Sequence, residues 1–293
     1  METCRWSERH RQLTVLASWL AVVFVWEAAF RIVGWQAWIF PAPSHVLDAT
    51  LNLLNLKTYF SDPLHAGWPL GRASGSGGPA PVSFAAVLHS QLIVAILTSG
   101  YRLVIGFALS MQLGLLLGLL MWRYSAVNAM FGPVFLGLQT LPSVCWVPLA
   151  ILTLGISELG ILFVLVMGSF FAMAISLRDG LMTTPPIYRA AGLVFGARGL
   201  NFYWYVMLPA GLPALANSLR SGFSFAWRSL MGGELIFVLR RHGLGQLLSI
   251  GREFGDIAQV VATMAMMVVI GMVVDRLVFA KIESTVRTRF GLA

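Results

Sequence analysis

Five ionisable side chains interrupt or border long apolar stretches of the chain: Arg102, Arg228, Glu234, Asp275 and Arg276. A charge in hydrocarbon is costly, so such residues face protein or a water-filled path, and they often mark ion and solute routes. Arg102 and Arg228 are placed to present positive charge to an anion in transit. Two structural alternatives stay open: Arg228 pairs with Glu234 or a neighbouring helix, and Arg102 snorkels to the membrane interface. Asp275 and Arg276 suit an anchor at the inner surface.

Reactive constellations are sparse. The two lysines, Lys57 and Lys281, do not follow glycine, so the chain holds no Gly-Lys-Ser/Thr phosphate loop and is not a P-loop ATPase. No His-Glu-x-x-His occurs, and His10, His45, His65, His89 and His242 lack metal-ligand spacing. Gly222-Phe223-Ser224-Phe225-Ala226 misses the last glycine of a nucleophile elbow. Cys4 and Cys145 offer no disulfide framework. The chain is expected to be non-catalytic, with no metal and no cofactor of its own.

The elements that hold these residues follow from composition. Of 293 residues, 58% are hydrophobic and 11% charged, against about 25% charged in a soluble domain. Most of the surface must therefore face lipid. Apolar stretches of about 20 residues cross the roughly 30 Å hydrocarbon layer as helices. Six are expected, at 13–33, 101–121, 133–155, 159–177, 212–237 and 259–280, giving an all-α polytopic fold in one domain. The first is expected to be a retained span rather than a cleaved signal, since Glu27 and Arg31 interrupt its end and no small-x-small site follows.

The net charge of +8 fits membrane orientation rather than nucleic acid. Arg5, Arg9, Arg11, Arg123, Arg178, Arg189, Arg198, Lys281, Arg287 and Arg289 all fall on one side of a six-span chain, which places both termini in the cytoplasm. Lys57, Arg72, Arg240, Arg241 and Arg252 run against the bias, on the outer side. Pro41 to Ser44 reads as extended, Val46 to Leu56 as a surface helix, and Gly67 to Pro81 as a mobile loop. Gly114 and Gly118 have the spacing for close helix approach. Pro133, Pro142, Pro148 and Gly155 punctuate the third span, and a distorted helix suits the lining of a pathway.

Tyr188 to Pro213 is a polar, small-residue interruption between two very hydrophobic stretches. Pro185 and Pro186 can open a helix. A short helix over Tyr188–Ala197, with small Ala190, Ala191, Gly192 and Gly196, offers a low-relief face for docking into a partner's groove. Leu208-Pro209 is expected to end the following segment and start the turn into the fifth span.

The chain resembles the transmembrane permease subunits of ATP-binding-cassette importers, in the nitrate, sulfonate, taurine and bicarbonate group. Gly196 and Leu208-Pro209 stand at that family's loop spacing, followed by Pro213. Its Glu-Ala-Ala register falls on Ala190, Ala191 and Gly192, so the acidic residue is missing and Arg189 precedes the gap. Further matches run over roughly residues 40 to 280: Pro41-Ala42-Pro43-Ser44, Tyr101-Arg102, Gly106-Phe107, Leu141-Pro142 and Trp146-x-Pro148-Leu149. Leu154-Gly155-Ile156-x-Glu158, Ala226-Trp227 with Glu234, and Gly243-Leu244-Gly245 complete the series. The long insert near 55–85 departs from the pattern.

The resemblance implies the type I importer permease fold, with a cytoplasmic coupling segment over 185–209 and a location in the bacterial inner membrane. Docking on the ATPase would involve Tyr188, Arg189, Ala190, Ala191, Gly192, Gly196, Leu208 and Pro209. The pathway candidates are Arg102, Pro142, Trp146, Pro148, Trp227, Arg228 and Glu234. Implied partners are two cytoplasmic ATPase subunits carrying ATP and Mg, a second permease copy as a homodimer, and a periplasmic or lipid-anchored substrate-binding protein. The implied cargo is a small anion such as a sulfonate, nitrate or taurine. A pyrimidine thiamine precursor is the alternative cargo. An ion-coupled secondary transporter is the alternative class, which calls for inward-facing carboxylates and an inverted repeat that the sequence does not show.

Overall fold

The computed structural model describes residues 2–34, 40–54, 90–196 and 202–289. The Gly67–Pro81 loop and the rest of the 55–85 insert lie outside them, as does Ala197. Among the described residues the chain is helical, with no strand. Contacts divide it into two compact units, one of residues up to 94 with 247–266, the other of 95–246 with 267–293.

In the first unit, α1 (Glu2–Val33) is followed by α2 (Pro43–Leu53). Pro43 sits in the first turn of α2, where its missing N–H costs nothing. That moves the helix start three residues ahead of the expected Val46. The Glu27 carboxylate accepts hydrogen bonds from Arg31 (2.7 Å) and from the Ser44 backbone N–H (3.3 Å). One carboxylate thereby balances the arginine near the end of α1 and meets the exposed amides of the next helix.

The second unit holds most of the remaining helices. They are α3 (Gln91–Arg123), α4 (Ser125–Thr140), α5 (Val147–Leu154), α6 (Glu158–Met182), α7 (Pro186–Val194) and α8 (Leu208–Ile236). Beyond them run α9 (Leu244–Glu253), α10 (Ile257–Val274) and α11 (Ala280–Arg289). Two π-helical turns, Tyr203–Met207 and Asp275–Phe279, lead into α8 and α11.

The central helix is α6. Its most apolar window is 61% buried, against 22% for α3 and 17% for the helix from Ile257. A helix apolar all round belongs inside a bundle, whereas the other two show broad faces suited to lipid. It packs chiefly against α8. It also lies close to α3, because Gly106, Gly114 and Gly118 remove side chains at the crossing. A Cβ on Gly118 would stand 2.8 Å from the Ala174 carbonyl oxygen, and one on Gly114 would stand 2.9 Å from Met173 Cβ. The G-x-x-x-G spacing thus has a partner in α6. Because the obstacle at Gly118 is backbone, Gly118→Val is expected to cost about 1–3 kcal/mol. Thermal unfolding in detergent should show this as a lower midpoint, beside an unchanged Gly137→Ala control, whose site has open space.

Among the described residues, three helices are long and apolar enough to cross a membrane, with a fourth crossing if α4 and the helical stretch after it count as one span. The expected spans at 13–33 and 212–237 fall on the helices α1 and α8, which are not among these three. The third span, expected over 133–155 as a helix distorted by its prolines, is sharply bent: the chain turns by 103° between Ser125–Thr140 and Ser143–Leu154. Leu141 and Pro142 are extended (ψ 127° and 133°), because a residue before proline is pushed out of the helical region. Pro133 lies inside α4 without ending it, and Pro148 sits in the first turn of α5.

Candidate functional site

The segment expected to dock begins at Pro185, extended at φ −55° and ψ 130°, with Pro186 as the first residue of α7. The helix stops at Val194 rather than Ala197. Gly196, at φ +77°, turns the chain left-handed two residues later, a conformation that glycine adopts without strain. The expected low-relief face is corrected as well. Gly192 points inward, where a Cβ would stand 2.8 Å from both Val206 methyl carbons and 3.2 Å from the Phe202 ring. The free side is bulky and apolar instead, with Ile187, Tyr188, Leu193, Val194 and Phe195 exposed beside Ala190 and Ala191. Tyr205, on the π-helical turn, is exposed as well. Arg189 lies on α7 between Tyr188 and Ala190. Leu208 and Pro209 start no turn. They form the first residues of α8, which continues directly from Tyr203–Met207, and Pro209 is tolerated there because first-turn N–H groups have no helical partner.

At the other end of the bundle the candidate pathway residues divide. Arg102 is 1% exposed and Glu234 wholly buried. The Arg102 guanidinium donates to Glu234 Oε1 at 2.8 Å and to both oxygens of Glu158 at 2.7 Å. It also donates to the Arg241 carbonyl at 3.0 Å. Ser99 Oγ donates to Glu234 (2.7 Å) and accepts from the Leu244 N–H (2.9 Å), while the Gly245 N–H donates to Glu234 Oε2 (3.0 Å). Gln246 accepts from the Gly243 N–H and donates to the Phe237 carbonyl. Arg102 is thus neutralised on two sides. It neither snorkels nor offers a free charge to a passing anion.

The same cluster explains the Gly243-x-Gly245 spacing. A Cβ on Gly243 would fall on the Glu234 carboxylate, and one on Gly245 would stand 2.6 Å from Glu234 Cβ. Glu234 fills a socket that only glycines leave open. Sequence reasoning missed Ser99, Glu158 and Gln246 as members. The available signal was charge parity, since a buried arginine demands a carboxylate.

Arg228 differs. It is exposed on α8, its Nε donates to the Ser224 carbonyl (3.1 Å), and its guanidinium lies 4.5 Å from the Phe225 ring centre. It does not pair with Glu234, and among the described residues it forms no ion pair. Trp227, its neighbour, stacks on Phe223, and its indole nitrogen would be 3.1 Å from a Cβ on Gly271. Pro142 and Pro148 are exposed around the 103° bend. Trp146 is half-buried, stacked on Phe171 and edge-on to Phe163, and joins two apolar clusters. Its contacts are those of a packing residue.

Nearer α7, the first half of α8 carries its own ionic cluster. Arg220 on α8 grips both oxygens of Asp275 at 2.8 Å and reaches Glu283 on α11 at 2.8 Å. Asp275 is therefore tied to a helix rather than standing as a free surface anchor, while Arg276 is exposed.

Known proteins share this architecture's sequence. The family model described as binding-protein-dependent transport system inner membrane component matches residues 110–281, more than half of the chain. A putative ABC transporter permease of Methanocaldococcus jannaschii is 30% identical over 175 residues, which is 60% of this chain and 65% of that protein. A putative aliphatic sulfonates transport permease of Bacillus subtilis is 29% identical over 219 residues, 71% of this chain and 77% of its own length. The taurine transport system permease of Escherichia coli is 24% identical over 266 residues, 90% of this chain and 86% of its own.

Proposed function

The chain belongs to the binding-protein-dependent transport system inner membrane components, the permease subunits of ABC importers, and from that premise we propose that it forms the membrane path for a small anion. Relatives named for sulfonate and taurine transport support an anionic cargo. Arg228 carries the reading within the chain. An exposed arginine on an apolar helix, without a carboxylate partner among the described residues, is costly against lipid and useful against water or an anion.

In this reading two copies of the chain form the path, and two cytoplasmic ATPase subunits supply ATP and Mg. A soluble or lipid-anchored binding protein delivers the solute to the outer face. Both termini lie in the cytoplasm, so α7 faces the ATPase subunits and the Arg102–Glu234 cluster faces outward. The apolar ridge Ile187–Phe195 seats in an ATPase groove. Contact there is mainly apolar, since Ala190 stands where the family resemblance puts a glutamate. Closure of the nucleotide-bound ATPase pair moves α7, and through the turn Tyr203–Met207 it moves α8, exchanging outward for inward access.

Co-purification tests the assembly. An ATPase subunit should accompany the tagged chain from membranes, and uptake driven by an ion gradient without one would favour a secondary transporter. The path itself is tested with Arg228→Gln. Loss of a charge-assisted contact of about 1.5–3 kcal/mol should lower anion uptake roughly tenfold or more, with assembly intact. Unchanged uptake by well-assembled Arg228→Gln would remove this residue from the path.

A further inference from the structure

Arg240, Arg241 and His242 are consecutive, exposed, and without an ion pair among the described residues. They lie between α8 and α9 on a stretch of irregular backbone that is nonetheless firmly held. Arg102 donates to the carbonyl of Arg241 itself. The N–H groups of Gly243, Leu244 and Gly245 are each bound by a buried side chain, Gln246, Ser99 and Glu234 respectively. On the topology adopted above, this stretch is a short outer loop. Arginine in short outer loops opposes the charge bias that orients membrane chains. A buried ion pair is also costly to desolvate and commonly adds no net stability. The buried cluster fixes the backbone that carries Arg241 and the residues after it, and so fixes where these charges stand.

We propose that Arg240 and Arg241, flanked by His242, form a docking patch for an acidic surface on the soluble binding protein. The proposal rests on the permease reading and its orientation. A protein partner with a fixed charge pattern gains from a backbone fixed at Arg241. Anionic lipid does not need one, and its attraction for basic segments is strongest at the cytoplasmic leaflet. Charges at the rim of an interface act mainly through encounter rate and salt dependence.

The test uses the complete transporter in lipid nanodiscs with its binding protein, comparing wild type with Arg240→Glu/Arg241→Glu. ATPase activity is followed as binding protein is added, at low and at physiological salt. The variant should need about tenfold more binding protein for half-stimulation, and its response should lose the salt sensitivity of the wild type. Basal ATPase activity and recovery of the ATPase subunits should not change, and Arg240→Lys/Arg241→Lys should restore the response. An unchanged half-stimulating concentration overturns the proposal. So does an effect seen only in nanodiscs containing anionic lipid, or a shift confined to solute concentration at saturating binding protein. Failure of any ATPase subunit to co-purify with the wild-type chain would instead sink the permease reading.

Discussion

Glu234→Ala is expected to destabilise the chain by about 3–5 kcal/mol, the cost of stranding one member of a buried ion pair. The substitution removes the acceptor of Arg102, Ser99 and the Gly245 N–H at once, in a site without solvent. Arg102 keeps Glu158, but that carboxylate is half exposed and its bond is correspondingly weaker. Glu158→Gln should therefore be far milder, at about 1 kcal/mol or less. Chemical unfolding in detergent and the yield of folded protein measure both. Equal midpoints for the two variants would show that burial is not what makes Glu234 matter. The direction also separates this glutamate from a transport residue: its loss should reduce the amount of folded protein, not only the rate of uptake.

Gly192→Leu should leave a folded chain that transports poorly. A side chain at this position must push Val206 and Phe202 aside, so α7 would be levered off the turn Tyr203–Met207. Overpacking of this kind costs about 1–3 kcal/mol, which shifts the seating equilibrium by roughly fivefold to a hundredfold or more. Uptake should fall in that range, with ATPase activity no longer stimulated by binding protein. The packing of α6 against α8, which the Gly192 seat does not touch, should unfold as in wild type. Ala190→Leu, on the exposed side of the same helix, offers the contrast: it leaves the seat intact and touches only the docking face. If Gly192→Leu transports normally, the seat of α7 on Val206 does not carry the coupling.

What the sequence made legible follows its local physics. Long apolar runs located the long helices, and Pro185-Pro186 marked the start of α7, because each signal lies within a few residues of its effect. Pro142 announced a distortion, though not one of 103°, since the angle depends on what the far side packs against. The ionic clusters were out of reach for a related reason. Arg102 meets Glu158 and Glu234 across 56 and 132 residues, and no period links those positions. The pairing of Arg228 with Glu234, six residues apart on one helix, was the simpler reading, and it fails because Glu234 is already fully engaged by α3. Gly192 misled in another way. A small residue reads as an open face, and here it marks a close approach of the chain to itself.

The socket around Glu234 also restricts how this sequence can drift. Alanine at Gly243 needs the carboxylate gone, yet removing the carboxylate first leaves buried Arg102 with only the half-exposed Glu158, and removing Arg102 first leaves a buried carboxylate without its cation. Each single step passes through a poorly folded chain, although a concerted exchange to apolar residues could restore packing. Arg102, Glu234, Gly243 and Gly245 thus form an inheritance unit, positions that descendants must keep together or replace together.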